Sequence, residues 1–133
     1  MGNVAINGFG RIGRSILRII VENDSDVNIV AINDLGNYEN LAYLLKHDSV
    51  MGILESDVRV DGDKLLVGDR VIKLTSIKNP AELPWSELDI DVVIESTGIF
   101  RDNESLNKHL AAGAKKVLPV SYTHLTLPTK RIV

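Results

Sequence analysis

A six-residue run, Gly8-Phe9-Gly10-Arg11-Ile12-Gly13, constrains the fold more than any other stretch because of what flanks it. A short apolar segment, Val4-Ala5-Ile6, precedes it, and a helical pattern runs from Arg11 to about Asn23. A second apolar segment follows, Asn28 to Asn33, and Asp34 stands at its end, twenty-one residues beyond Gly13. A lone GxGxxG means little. Strand, glycine turn, helix, second strand and terminal acid together form the βαβ unit that binds dinucleotides. Gly8 permits the sharp turn out of the strand. Gly10 lacks a Cβ, so the backbone can approach a pyrophosphate, and Gly13 lets the helix pack closely on the sheet. The helix N-terminus offers unpaired N–H groups and a partial positive charge to phosphate. Asp34 can accept hydrogen bonds from ribose hydroxyls and would repel a 2′-phosphate, which favours NAD over NADP. The plainer alternative is a βα turn whose glycines serve packing alone; the acid at the expected offset favours the binding unit.

Bulk properties narrow the remaining classes. A chain of 133 residues suits one domain, and 44% hydrophobic residues is ordinary globular material. The net charge of −3 comes from charges of both signs scattered along the chain, which points to neither nucleic acid nor an anionic membrane as partner. The apolar run Ile16 to Val21 is interrupted by Arg18 and is too short to span a bilayer. The N-terminus lacks a basic segment and a small-residue cleavage site, and Met1-Gly2 is followed by Ile6 where myristoylation wants Ser or Thr. The expected location is the cytoplasm. There is no cysteine, hence no disulfide, no Cys-based metal site and no thiol nucleophile in this chain.

The first helix places Ile12, Ile16, Leu17, Ile19 and Ile20 on one broad face and Arg11, Arg14 and Arg18 on another. Asn37 reads as the N-cap of a helix reaching about His47, with Tyr38, Leu41, Ala42, Leu44 and Leu45 inward. From Asp57 to Leu74 the pattern changes to short β segments broken by Asp61-Gly62 and Gly68-Asp69, the mark of antiparallel hairpins. Asn79-Pro80 and Leu83-Pro84 mark a loop or short helical turn. Asp91 to Glu95 is a strand running into Ser96-Thr97-Gly98; Asp102 can cap a helix that ends at Gly113; Lys115 to Leu118 begins one more strand. The expectation is an α/β fold: a Rossmann-type doubly wound parallel sheet with an inserted antiparallel hairpin, truncated. Gly8 to Gly13, Asp34 and Ser96-Thr97-Gly98 all fall at strand carboxyl ends and should meet at one edge.

Four strings carry a closer resemblance: Val4 to Arg14, Ala31-Ile32-Asn33-Asp34-Leu35, Glu95-Ser96-Thr97-Gly98-Ile99-Phe100, and His109 to Leu118. The chain from 3 to 118 resembles the N-terminal, NAD-binding half of phosphorylating glyceraldehyde-3-phosphate dehydrogenase. The resemblance implies that Arg11 and Ile12 contact the NAD pyrophosphate through the backbone, that Asn7 braces the turn, and that Asp34 holds the adenosine ribose. Gly8, Phe9, Gly10, Gly13 and Asn33 complete that turn and strand end. Lys78 stands where the family has a basic residue near the adenine, with a solvated surface charge as the plainer reading. Thr97 and Gly98 would line the cleft. Ser96 and Phe100 belong to the same segment, with ordinary turn and core roles as the alternative.

The family's chemistry would be oxidation of a phosphorylated aldehyde with inorganic phosphate to an acyl phosphate, through a Cys thiolate and a His, in a homotetramer. A thiolate is needed because it is strongly nucleophilic at neutral pH and leaves readily from a thioester. This chain therefore carries no catalytic residue and would be inactive alone. The other readings are a fragment of erythrose-4-phosphate dehydrogenase and a stand-alone nucleotide-binding module without catalysis. Two departures stand out. His47-Asp48-Ser49-Val50-Met51-Gly52 replaces a family stretch that begins with Tyr, and His47 reads as a helix-end surface residue. His109 reads as structural. From Pro119 the resemblance stops, and Val120 to Thr129 is what a transposase-type sequencing adapter would encode in one frame. The domain is expected to be residues 1–118, with 119–133 a foreign tail. Ser121 and His124 there lack a third group to orient them as a nucleophile and base.

Overall fold

The computed structural model describes residues 3–23, 27–48, 52–79, 82–97 and 103–119. The segment 120–133 lies outside them, as do Gly98, Phe100 and the Asp102 cap. Strand β1 (Asn3–Asn7), helix α1 (Arg11–Glu22) and strand β2 (Asn28–Asn33) form the opening βαβ unit. Helix α2 (Tyr38–Lys46) follows, then a two-residue ladder of β3 (His47–Asp48) with β4 (Gly52–Ile53) that the sequence does not signal. Strands β5 (Val58–Asp61), β6 (Lys64–Val67) and β7 (Arg70–Thr75) make an antiparallel meander. Strand β8 (Val92–Glu95), helix α3 (Asn103–Ala111) and strand β9 (Lys116–Pro119) complete the described chain.

The seven-stranded sheet runs β5-β6-β7-β2-β1-β8-β9. Pairs β7–β2, β2–β1, β1–β8 and β8–β9 are parallel. The order reverses between β1 and β8, where open α/β sheets bind their ligands. The expected insertion is thus larger than one hairpin. Its last strand, β7, becomes a member of the parallel sheet, so the sheet is mixed. Both meander turns are two residues long and begin at a glycine with positive φ, Gly62 at 64° and Gly68 at 58°.

Alternation along the strands splits the core into two layers. Ile6, Ile29, Ile32, Ile72 and Leu74 pack on one face with Leu17 of α1 and Leu41, Ala42 and Leu45 of α2. Ala5, Ala31 and Val93 pack on the other with Leu83, Trp85, Ile90, Ala112 and Ala114. The alanines leave room for the fully buried Trp85. Helices on both faces make the sheet doubly wound.

Local signals hold at both later helices. The Asn37 side chain accepts from the Asn40 amide at 3.0 Å, capping α2. Gly113, with φ +120°, follows α3, and the Ala114 amide reaches back to the His109 carbonyl at 3.1 Å. A Cβ at Gly113 would lie 2.5 Å from the Ser86 amide nitrogen. His47 is exposed and rests against Tyr43, ring centroids 4.6 Å apart.

The face expected of α1 needs correction. Ile19 is 52% exposed, whereas Arg18 is fully buried. Leu17 packs into the core with the sheet residues, α2 lies against the helix, and Arg18 reaches the segment at Gly52, so burial extends past the apolar stripe. The Arg18 guanidinium donates through Nη2 to the Gly52 carbonyl at 2.7 Å, and its Nε and Nη1 find no partner among the described residues. Tyr38 is half-buried and packs against the core, in keeping with its inward reading, and Leu44 is half-buried.

Candidate functional site

The carboxyl ends of β1, β2, β7 and β8, with the segments that follow them, build a cleft of about 450 Å³. Asn7, Gly8, Gly10, Asn33, Asp34, Lys78, Ser96 and Thr97 line it, joined by Leu35 and Ile77. Eight of the residues singled out from the sequence therefore meet at one place, and the two apolar ones were missed because nothing local distinguishes them.

The glycine turn works through close approach. Gly8 has φ +95°, and a Cβ there would lie 2.7 Å from the Thr97 amide nitrogen. A Cβ on Gly13 would lie 2.6 Å from the Gly8 carbonyl oxygen, so α1 sits hard against the turn. A Cβ on Gly10 would meet nothing within 4 Å. The space in front of Gly10 opens at the N-terminus of α1. That terminus has no side-chain cap and no acid in its first turn, which leaves its N–H groups and partial positive charge available to an anion. Arg11 is exposed beside it.

Asp34 is half-buried and held in place. Its Oδ2 accepts from the Phe9 amide at 2.7 Å and its Oδ1 from the Gly36 amide at 2.8 Å. Each oxygen keeps lone-pair capacity for a hydroxyl. The Gly8 amide donates to the Asn33 carbonyl at 2.8 Å, and the Ser96 hydroxyl donates to the Gly8 carbonyl at 2.6 Å, so β2 and β8 both clamp the turn. Lys78 is exposed on the cleft wall.

Phe9 and Ile12 do not present side chains to the cleft. Phe9 is fully buried in the core and Ile12 is 8% exposed there, leaving only their backbones for a ligand. Gly13 serves packing. Gly98 and Phe100 lie outside the described residues.

Beneath the cleft runs a polar row that the residue-by-residue reading missed. Thr75, Asn33, Asn7 and Glu95 occupy one register across β7, β2, β1 and β8. The Thr75 hydroxyl donates to Asn33 Oδ1 at 2.6 Å, Asn33 Nδ2 to Asn7 Oδ1 at 2.7 Å, and Asn7 Nδ2 to Glu95 Oε1 at 2.7 Å. Glu95 is 1% exposed. Burial pushes its carboxyl up, but hydrogen bonds from His109, the Thr97 hydroxyl, Asn7 and the Thr97 amide outweigh this and hold it below the ordinary glutamate value. A signal was present in the sequence: three apolar strands each end on Asn, Asn or Glu.

Comparison with known proteins agrees with this geometry. Residues 2–103 match the family model described as glyceraldehyde 3-phosphate dehydrogenase, NAD binding domain. The chain is 53% identical over 116 residues to a glyceraldehyde-3-phosphate dehydrogenase of Xanthobacter flavus, covering 86% of this chain and 35% of that protein. It is 48% identical over 127 residues to glyceraldehyde-3-phosphate dehydrogenase 2 of Streptomyces avermitilis, covering 93% of this chain and 38% of the relative. The chloroplastic glyceraldehyde-3-phosphate dehydrogenase A of Zea mays is 49% identical over 129 residues, 95% of this chain and 32% of that protein. The chain thus spans about a third of the length of the relatives it matches.

Proposed function

The chain belongs to the family of glyceraldehyde 3-phosphate dehydrogenase NAD-binding domains, and from that premise we propose that it is the cofactor-holding part of a phosphorylating glyceraldehyde-3-phosphate dehydrogenase. One observation carries the reading: an uncapped helix N-terminus, reached through the Gly8 turn, shares a cleft with the immobilised Asp34 carboxylate. The open space at Gly10 and the free amides of α1 fit a pyrophosphate, and Asp34 fits the adenosine ribose hydroxyls. Bound NAD would supply the hydride acceptor. This chain's own residues bind and orient it: Gly8 to Ile12 through their backbone, Asp34 at the ribose, and Asn7, Ser96 and Thr97 along the wall.

In the whole protein the reaction would join aldehyde oxidation to uptake of inorganic phosphate, giving an acyl phosphate, with the thiol nucleophile supplied from outside these residues. Such an enzyme would act as a homotetramer in the cytoplasm; among the described residues, no helix is long and apolar enough to cross a membrane. Calorimetric titration of the chain with NAD and with NADP tests the cofactor assignment. Saturable NAD binding with NADP at least about tenfold weaker is expected, since a 2′-phosphate would face the Asp34 carboxylate. Equal or tighter NADP binding would overturn it.

We also propose that the domain's own sequence ends near 118 and that 119–133 is foreign. The alignment with the Zea mays protein covers 95% of the chain and therefore runs past 118, so sequencing the source locus across that codon decides. A frame continuing into a cysteine-containing catalytic segment supports the proposal, and the same tail in native DNA refutes it.

A further inference from the structure

Two hydrogen-bond chains converge on one oxygen of the Glu95 carboxylate. Along the sheet, Thr75 donates to Asn33, Asn33 to Asn7 and Asn7 to Glu95 Oε1, while Asn33 Nδ2 also donates to the Ile77 carbonyl at 2.8 Å. On the same face of the sheet, the Trp85 indole donates to His109 Nδ1 at 3.0 Å, and His109 Nε2 lies 2.6 Å from the same Oε1. An indole N–H can only donate, so Nδ1 must accept, and Nε2 carries the proton that goes to Glu95. Asn7 Nδ2 and His109 Nε2, 3.5 Å apart, are thus two donors sharing one acceptor. The second oxygen, Oε2, takes both donors of Thr97, the amide at 3.0 Å and the hydroxyl at 2.6 Å. An ionised carboxylate is the only side chain of this size that can close all of these bonds, because every neighbour donates.

The consequence reaches the cleft. Thr97 is the residue that a Cβ on Gly8 would strike, so its place sets the room at the glycine turn. His109 is fully buried in α3 and does not line the cleft. We propose that His109 is a positioning residue for the cofactor: through Glu95 it fixes Thr97 against the Gly8 turn and so sets the shape of the cleft wall. This rests on the reading of the cleft as the NAD site. It assigns the His109–Glu95 contact to geometry rather than to charge pairing, and it gives Trp85 the task of choosing the tautomer.

The test uses the whole chain and two readouts, NAD affinity by calorimetry and the Thr97 and Gly8 amide resonances by heteronuclear NMR. His109→Phe should weaken NAD by about tenfold, the scale of one hydrogen bond to a charged group, and should shift both resonances. His109→Gln, which can keep an N–H toward Glu95, should restore most of the binding. Unchanged NAD affinity together with unmoved resonances in a folded His109→Phe variant would overturn the proposal. If the unsubstituted chain fails to bind NAD, the cleft reading falls, while the Thr97 and Gly8 resonances still judge the positioning role. Should His109→Phe not fold, Trp85→Phe gives the same readouts, and the ring-nitrogen signals of His109 in the unsubstituted chain decide. A proton on Nε2 and none on Nδ1 is expected; the reverse would refute the arrangement.

Discussion

Gly8 and Gly10 lie two residues apart and answer to different forces. Gly8 is held by the fold itself, with a left-handed φ of +95° and Thr97 packed against the place of a Cβ. Gly8→Ala should cost about 1–3 kcal/mol from backbone strain alone, with more from displacing Thr97, and should show as a lower urea midpoint. Gly10 is held by what enters the cleft. Its φ of −79° suits any residue, and it stands at the N-cap of α1. Gly10→Ser should leave stability within about 0.5 kcal/mol, because Ser is a good N-cap, yet weaken NAD by about tenfold or more as its side chain fills the phosphate space. Calorimetry and denaturation on the same two variants separate the two roles; equal loss of stability in both would contradict the distinction.

At the scale of elements, the cleft is shaped by a row across four strands rather than by any single turn. Glu95 closes that row, and its lowered pKa, which favours the carboxylate, makes it a source of pH-dependent stability. A carboxyl whose folded value lies below its unfolded value stabilises the fold above the ordinary glutamate range and loses that contribution as pH falls through the folded value. Glu95→Gln should therefore be less stable by about 2 kcal/mol at neutral pH, the cost of unpaired buried donors. The gap should close as the pH is lowered below about 4. A gap constant down to pH 3 would show that Glu95 is not the titrating group. Helix α2 offers a local control: Asn37→Ala should cost about 1 kcal/mol by removing the cap to Asn40, with no change in NAD binding.

The whole molecule presents a sheet whose edge strands, among the described residues, are β5 and β9. On the β9 side Leu118 is 53% exposed and Leu110 of α3 is 43% exposed. An open strand edge beside apolar surface is a template for self-association. Sedimentation velocity on the chain should show association that grows with concentration, and Leu118→Lys should reduce it without lowering the melting temperature by more than a few degrees. A monomer across the concentration range would show that this edge is covered.

The βαβ unit, the position of Asp34, the Asn37 cap and the Gly113 stop were legible because each is a short-range device: a glycine that must take positive φ or a side chain that must cap a helix leaves its mark within a few residues. The register row was only half legible. Asn7, Asn33 and Glu95 are visible as polar ends of apolar strands, but nothing local says that β1 lies between β2 and β8, or that His109 and Trp85 meet Glu95 on the same face of the sheet. Arg18 was misread for the same reason, since a helix pattern shows one stripe while burial depends on how many neighbours cover it. The meander's last strand joining β2 in parallel was also a tertiary outcome. The sequence by itself determined which turns, caps and strand ends exist. Only the tertiary structure decided which of them meet, because pairing across 88 residues, as between Asn7 and Glu95, is settled by packing of the whole sheet and not by any propensity of the chain.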